Sequence, residues 1–285
     1  MTFMSGKTLI RIMDDNANSN VETQEYPPKV SQRLNRVGVT NLRTLVKTVF
    51  DSHEYKFVPR FEITIDLPAE KKGVHMSRLV ESIAETVEEE AMEDQPSFEV
   101  LEKKILERLK EKHPYERGEV SLWTELVVES ETPATKRPTM EAHDVSVKTI
   151  SEAGRLTKTV RVKVIGNTVC PHSLENTGKP HIQRAVGELE VETGLENETP
   201  LQEMIRAVEE SFSCPVYTLV KTDDENAMVR RMYDNPRFVE DVARAILDNA
   251  KRRFKECSGC KIRAKVTAQE SIHRHDVVAE GEVEN

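Results

Sequence analysis

Between Thr168 and Arg184 the chain reads Thr-Val-Cys-Pro-His-Ser-Leu-Glu-Asn-Thr-Gly-Lys-Pro-His-Ile-Gln-Arg, its densest run of side chains able to do chemistry. Cys170 and His181 stand eleven positions apart with Gly178 and Pro180 between them, a length that lets a turn bring thiolate and imidazole onto one ion. Sulfur and nitrogen donors suit Zn2+ or Fe2+ far better than Mg2+. Taken alone, such a pair more commonly means a small buried thiol and a hydrogen-bonded ring. Two further clusters change that balance. Glu270-Ser-Ile-His-Arg-His275 sets His273 and His275 just past an expected strand, where an extended backbone points both rings the same way. Thr222-Asp-Asp-Glu225 supplies carboxylates at the start of a short helix. If the fold gathers these groups, the chemistry is that of an open catalytic metal site.

Other segments carry weaker signals. Lys71-Lys-Gly-Val-His-Met-Ser-Arg78 lies where a strand gives way to a helix, and the free N–H groups of that helix start, with Lys72 and Arg78, suit phosphate oxygens. The plainer reading is a solvated Lys-Gly turn. Glu240 falls one residue, about 100° of rotation, past the apolar residue Val239 on its helix, at the edge of the apolar face. There it either accepts two N–H bonds from a planar ring or pairs with Arg244 one turn on. Cys257-Ser-Gly-Cys260 has the spacing of half a zinc site or of a redox pair, but a helix precedes it, a strand follows it, and no second pair exists, so it marks a tight turn. Ser5-Gly-Lys-Thr8 lacks the earlier Gly and the preceding strand of a phosphate-binding loop.

The elements that must position these residues follow from periodicity. A strand is expected over Lys56–Leu67, where Phe61, Ile63 and Ile65 alternate with polar residues. Ser77 and Ser97 are expected to cap two helices, the first with a stripe of Leu79, Val80, Ile83, Val87 and Ala91. Strands follow over 120–129, 143–150 and 160–165. Thr199-Pro200 and Asn235-Pro236 open two more helices, and a last strand covers Lys261–Ala268. Strand, helix, helix, strands, repeated once, predicts an α+β chain whose antiparallel sheets carry helices on one face. Residues 13–27 lack periodicity and read as a mobile surface segment. The basic stretch from Lys29 to Lys47 reads as a solvated face or the lining of an anion site.

Composition bounds the function. Forty-one Lys and Arg against 50 Asp and Glu give a formal charge of −9 over 285 residues, which disfavours a general nucleic-acid coat. Hydrophobic residues at 37% and charged residues at 32% allow both a core and a hydrated surface. Without a long apolar run or a basic, apolar start, neither a membrane span nor a secretory signal is expected. Four Cys do not make a disulfide framework, so the expected compartment is the cytosol.

As a set, Lys-Gly-Val-His-Met-Ser-Arg at 72–78, Thr-Val-Cys-Pro-His-Ser at 168–173, His-Ile-Gln-Arg at 181–184, the acidic run 223–225, Phe-Val-Glu-Asp at 238–241 and Glu-Ser-Ile-His-Arg-His at 270–275 resemble the type IB GTP cyclohydrolases, most closely their archaeal branch, the MptA family. The resemblance spans roughly residues 55–280. It implies the tunnelling fold (T-fold), with two related antiparallel-sheet units bearing helix pairs on one face. It also implies a homodimer or homotetramer that closes sheets into a barrel with active sites between subunits. On this chain that means an N-terminal segment over 1–55 and units over 56–170 and 171–285. It further implies Fe2+, with Zn2+ or Mn2+ as substitutes, and conversion of GTP to 7,8-dihydroneopterin 2′,3′-cyclic phosphate with release of formate and pyrophosphate, for methanopterin synthesis. Cys170, His181, Glu225 and one of His273 and His275 match metal positions. Glu240 matches the guanine anchor, His75 and His172 are candidate proton donors, and Arg78, Arg184, Lys72 and Lys221 are candidates for the triphosphate. Cys-Pro-His stands here where bacterial relatives often have Cys-Pro-Cys, which makes His172 a group behind the ligands or an alternative ligand. The competing expectations are a cyclohydrolase that keeps the triphosphate and a non-catalytic, zinc-stabilised binding protein. No nucleic-acid or membrane partner is expected.

Overall fold

Alternation of apolar and polar residues builds most of the molecule into one twisted antiparallel sheet. The computed structural model describes residues 22–50, 53–90 and 97–285. The strands are β1 (Leu34–Arg43), β4 (Arg60–Leu67), β5 (Arg117–Glu131), β6 (Pro138–Glu152), β7 (Arg155–Val169), β8 (Ile182–Gly194), β10 (Lys261–Ala268) and β11 (Val277–Glu284), in the spatial order β1-β4-β5-β6-β7-β8-β10-β11. The two-residue β9 (Cys214–Pro215) pairs with β7, and β2 (Val46–Phe50) with β3 (His53–Phe57) forms a separate hairpin. The helices are α1 (Met76–Glu90), α2 (Phe98–Lys112), α3 (Pro171–Thr177), α4 (Leu201–Glu209), α5 (Thr222–Asp234) and α6 (Val239–Arg253). Two strands, two helices and two strands thus occur twice, as β1/β4–α1–α2–β5/β6 and β7/β8–α4–α6–β10/β11.

The apolar faces explain the layering. Phe61, Ile63, Val120 and Leu122 meet Leu79, Ile83, Leu101, Ile105 and Leu109 of α1 and α2 in one core. Val160, Val162, Leu189, Val191, Ile262 and Val266 meet Ile205, Val208, Val242 and Ile246 of α4 and α6 in the other. Each such side chain contributes about 1.5–3 kcal/mol when fully buried. Phe212 lies so close over β7 that a Cβ on Gly166 would stand 2.2 Å from its ring, which is why that position has no side chain.

Local departures from the expected elements have identifiable causes. The expected strand over 56–67 is two strands, because Pro59 has no N–H to give a ladder and the chain turns there. The stretch read as a solvated face or anion site contains the edge strand β1, and two of its cations are paired: Arg33 with Asp66 at 3.0 Å and Glu116 at 2.9 Å, Arg36 with Glu119 at 2.9 Å and with Glu62. Ser97 caps α2, its Oγ accepting from the Val100 N–H at 3.4 Å. Ser77 does not cap α1, which has already begun at Met76. Pro200, not Thr199, flanks α4, and the Thr199 hydroxyl donates to Glu99 at 3.1 Å. Asn235 closes α5 rather than opening α6, its amide donating to the carbonyls of Phe212 and Ser213 at 3.1 and 3.2 Å. The mobile segment expected over 13–27 falls outside the described residues up to 21, and Ala91 of the α1 stripe lies outside them too. The remainder, 22–27, contains a short 3-10 turn at Thr23–Glu25 that seats on the loop before α1.

One buried carboxyl stands out. Glu102 of α2 is fully buried, and its Oε2 accepts from the Thr149 hydroxyl at 2.7 Å while Oε1 has no partner among the described residues. Burial pushes its carboxyl well above the usual carboxylate range, the Thr149 bond offsetting only part of that. The folded chain therefore holds a proton that the unfolded chain gives up above about pH 4. Stability falls as the pH rises from there toward the folded pKa. Glu102→Gln is expected to raise stability at pH 8 by roughly 1–3 kcal/mol and to leave it nearly unchanged at pH 4, read by thermal unfolding at the two pH values.

Candidate active site

The end of β7 and the start of β8 bring Cys170 and His181 together. The Cys170 N–H donates to the His181 carbonyl at 3.2 Å, extending the ladder one step beyond Val169↔Ile182. Cys170 is the N-cap of α3, with Pro171 in the first turn, and its Sγ accepts the Ser173 N–H at 3.4 Å. The seven-residue helix closes at Gly178, whose φ of +69° suits glycine, and the chain returns to His181. Ser173 Oγ accepts the His181 N–H at 3.1 Å, which fixes the return.

The His181 ring is held from behind. Its Nδ1 lies 2.9 Å from Gln183 Oε1, and Gln183 Nε2 donates to Glu270 Oε1 at 3.1 Å. With the Gln183 oxygen accepting, Nδ1 carries the proton and the Nε2 lone pair is the one available to a ligand. Metal-binding imidazoles are oriented in this way. Gln183 and Glu270 were not singled out by spacing. The signal for Gln183 is period two along β8, which puts it on the face of His181; Glu270 is brought in only by β10. The segment after β10 follows closely, since the Gln269 N–H donates to the Arg184 carbonyl at 2.9 Å and Ser271 Oγ stands 3.4 Å from His181 Nδ1. There the backbone bends instead of staying extended, and the exposed rings of His273 and His275 stack with centroids 5.0 Å apart.

The other candidates are placed as follows. Glu225 is exposed in the first turn of α5 and Lys221 is that helix's N-cap. Asp224 between them is buried and structural: it accepts from Ala134 N at 2.9 Å, Thr135 N and Thr135 Oγ1 at 2.7 Å each, and Lys221 N at 3.1 Å. Burial works against its charge, but those donors outweigh it and hold the carboxyl well below the usual carboxylate range. Its stabilisation is therefore present above the unfolded pKa near 4 and is lost as pH falls through the lower folded value. Asp224→Asn is expected to lower the melting temperature at pH 7 by several degrees, the gap to wild type closing only in strong acid. Glu240 is exposed on α6, and Arg244 pairs with Asp241 at 3.0 Å instead of with it, leaving Glu240 without an ion pair among the described residues. His172 is exposed on α3 beside Asn176, and Arg184 is exposed on β8.

The loop before α1 forms a second cluster. Its N–H groups are not free: those of Lys72 and Gly73 both donate to the Gln24 carbonyl, at 3.0 and 3.2 Å. Lys71 Nζ lies 3.0 Å from Glu25, Arg78 Nη2 3.2 Å from Glu22, and the buried His75 Nε2 3.2 Å from Glu25. Hydrogen bonds from Lys71 and His75 hold the Glu25 carboxyl below its usual range. Glu22, Glu25 and His75 each present a ligand atom within 4.8 Å of the others, a set able to hold a metal ion. Cys170, His181, Glu225, His273 and His275 do not yield three ligand atoms that close within the single chain.

These features define a class before they define a family. A tandem strand–helix–helix–strand sheet with helices on one face is the tunnelling fold, and the uricase of Arthrobacter globiformis shares it with a TM-score of 0.56 over 88% of this chain and 93% of that chain, at 8% identity. The profile of the family described as type I GTP cyclohydrolase folE2 matches residues 21–279, and the chain belongs to that family. Among its relatives, the GTP cyclohydrolase MptA of Thermococcus kodakarensis is 53% identical over 266 residues, covering 91% of this chain and 98% of that protein. The GTP cyclohydrolase MptA of Methanobrevibacter smithii is 33% identical over 291 residues, covering 91% of this chain and 94% of that protein.

Proposed function

We propose that this chain is a metal-dependent GTP cyclohydrolase that opens the purine ring at C8, releasing formate and pyrophosphate, and leaves 7,8-dihydroneopterin 2′,3′-cyclic phosphate for methanopterin synthesis. The observation that carries the reading is the His181 ring, oriented by Gln183 and Glu270 beside the Cys170 thiol, within a chain of the GTP cyclohydrolase family. The donors fit Fe2+, or Zn2+ or Mn2+ in its place: one soft sulfur, one imidazole nitrogen with a free lone pair, and the Glu225 and His273/His275 groups that a second subunit would bring into range. The reading places the site between copies of the chain, in a dimer or tetramer. The compartment proposed is the cytoplasm; among the described residues no helix is long and apolar enough to cross a membrane.

When bound, such an ion supplies Lewis acidity that makes water nucleophilic near neutral pH. The chain's own residues do the rest. Glu240 accepts the N1–H and 2-amino hydrogens of guanine and leaves the adenine edge mismatched. His75 or His172 donates a proton to the leaving nitrogen of the imidazole ring, and the C8 carbon departs as formate. Arg78, Arg184, Lys72 and Lys221 neutralise the triphosphate, and phosphate entering the α1 loop must displace the Glu22 and Glu25 carboxylates. The ribose ring opens and two of its carbons close onto the freed nitrogens to build the second pterin ring with loss of water. The hydroxyl released from the opened sugar, beside the carbon that carries the phosphate, then forms a new bond to the α-phosphorus and gives up its proton as the α–β bond breaks, which accounts for both the cyclic phosphate and the pyrophosphate.

The test is anaerobic reconstitution with Fe2+ and identification of the products from GTP. Formate, pyrophosphate and a cyclic phosphate are expected. An intact linear triphosphate on the pterin would overturn the cyclic-phosphate assignment, and tight GTP binding without formate would overturn the enzyme reading altogether.

A further inference from the structure

Strand register fixes a row of side chains across the sheet face that the helices leave bare. Arg60 stands opposite Trp123, Trp123 opposite Ser146, Ser146 opposite Arg161, Arg161 opposite Glu190, and Glu190 opposite Arg263. Beyond β7 the charges alternate and pair, Arg263 reaching Glu190 at 2.7 Å, Glu192 at 3.1 Å and Glu282 at 3.4 Å. Between Arg60 and Arg161 the alternation stops, because Trp123 and Ser146 occupy the places where carboxylates would balance the two guanidiniums. A cavity of about 790 Å³ opens there, and its lining sets five cations (Arg43, Lys56, Arg60, Arg161 and Lys163) against Glu125 and Asp144. That is a local excess of positive charge on a chain whose formal charge is −9.

Arg43, Arg60, Arg161 and Lys163 are not consumed by neighbouring carboxylates among the described residues. Arg161 and Lys163 share one carboxylate, Glu188, at 3.5 and 3.6 Å. Arg60 lies with its guanidinium 4.1 Å above the Trp123 ring and, among the described residues, hydrogen-bonds the Asn41 amide oxygen at 3.5 Å. Neither Arg60 nor Arg43 has a carboxylate partner among the described residues. β4 and β7 run about 14 Å apart across two intervening strands, so one monoanion cannot meet guanidiniums from both, whereas a chain of two or three phosphates can.

We propose that this cavity binds a small polyanion of the di- or triphosphate class, free or carried on a nucleoside. Within one chain the cavity lies apart from the Cys170–His181 corner, since Arg161 and Cys170 are nine residues, roughly 30 Å, apart along an extended strand. It does not depend on the reaction assigned to that corner.

Trp123 is the chain's single tryptophan, so its emission reports this cavity. The experiment titrates the full-length chain with inorganic triphosphate at constant ionic strength and follows tryptophan fluorescence. A saturable change is expected, weakening as salt is raised. Arg161→Ala and, separately, Arg43→Ala, which lies near the sheet edge away from the core, are each expected to weaken the apparent affinity about tenfold. Arg78→Ala is expected to leave the curve unchanged. A flat titration, wild-type curves in both cavity variants, or a signal lost in Arg78→Ala but kept in Arg161→Ala would each overturn the proposal.

Discussion

Cys170→Ala is expected to lower formate release from GTP by about 10³-fold or more while leaving the fold in place, because losing one metal ligand removes several kcal/mol of transition-state stabilisation. The structural cost of the change is small. The thiol takes up one N–H, that of Ser173, at the head of a seven-residue helix, and losing such a cap costs about 0.5–2 kcal/mol. The bond from the residue 170 N–H to the His181 carbonyl belongs to the backbone and survives. Metal content per chain is expected to fall with activity while the melting temperature changes little. Near wild-type formate release under limiting metal would remove Cys170 from the ligand set.

Glu240→Gln tests the opposite end of the substrate. Glu240 is a poor candidate for a structural role, since the core side of α6 is made by Val239, Val242, Ala243 and Ile246 and the nearby Arg244 pairs with Asp241. A carboxylate can accept both the N1–H and the 2-amino hydrogen of guanine. An amide offers one acceptor and turns an N–H against the other donor. The loss of one charge-assisted bond and the unpaired donor left behind predict a fall in kcat/KM of about 10²–10³-fold, carried mainly by KM. Wild type is expected to prefer GTP over inosine triphosphate, which lacks the 2-amino group, and the variant to lose that preference. Unchanged GTP binding and turnover in Glu240→Gln would exclude Glu240 as the guanine anchor.

How far the residues alone could lead depended on whether a signal was local. The alternation over 61–66, the Ser97 cap and the strand 261–268 each sit within one element, and the structure has them there. Cys170 and His181 were readable as neighbours because Gly178 and Pro180 mark the turn between them. The link from Gln183 to Glu270 spans 87 residues and exists only because β8 and β10 pair. The seating of Glu22 and Glu25 on Lys71, His75 and Arg78 is likewise a tertiary event, made by about fifty residues of intervening chain coming back on itself. Strand β11 escaped notice because Gly281 and three glutamates dilute its apolar alternation, as suits an edge strand. Pro59 was present to be read and was outweighed by the longer alternating run around it.

Asp224 ties two distant parts of the molecule into a single lever. The tip of the β5–β6 hairpin, at Ala134 and Thr135, and the opening turn of α5 share its one carboxylate, so neither can shift without dragging the other. Glu225 is the next residue along. Lengthening or trimming the hairpin tip, ninety positions upstream, would therefore retune where that side chain stands.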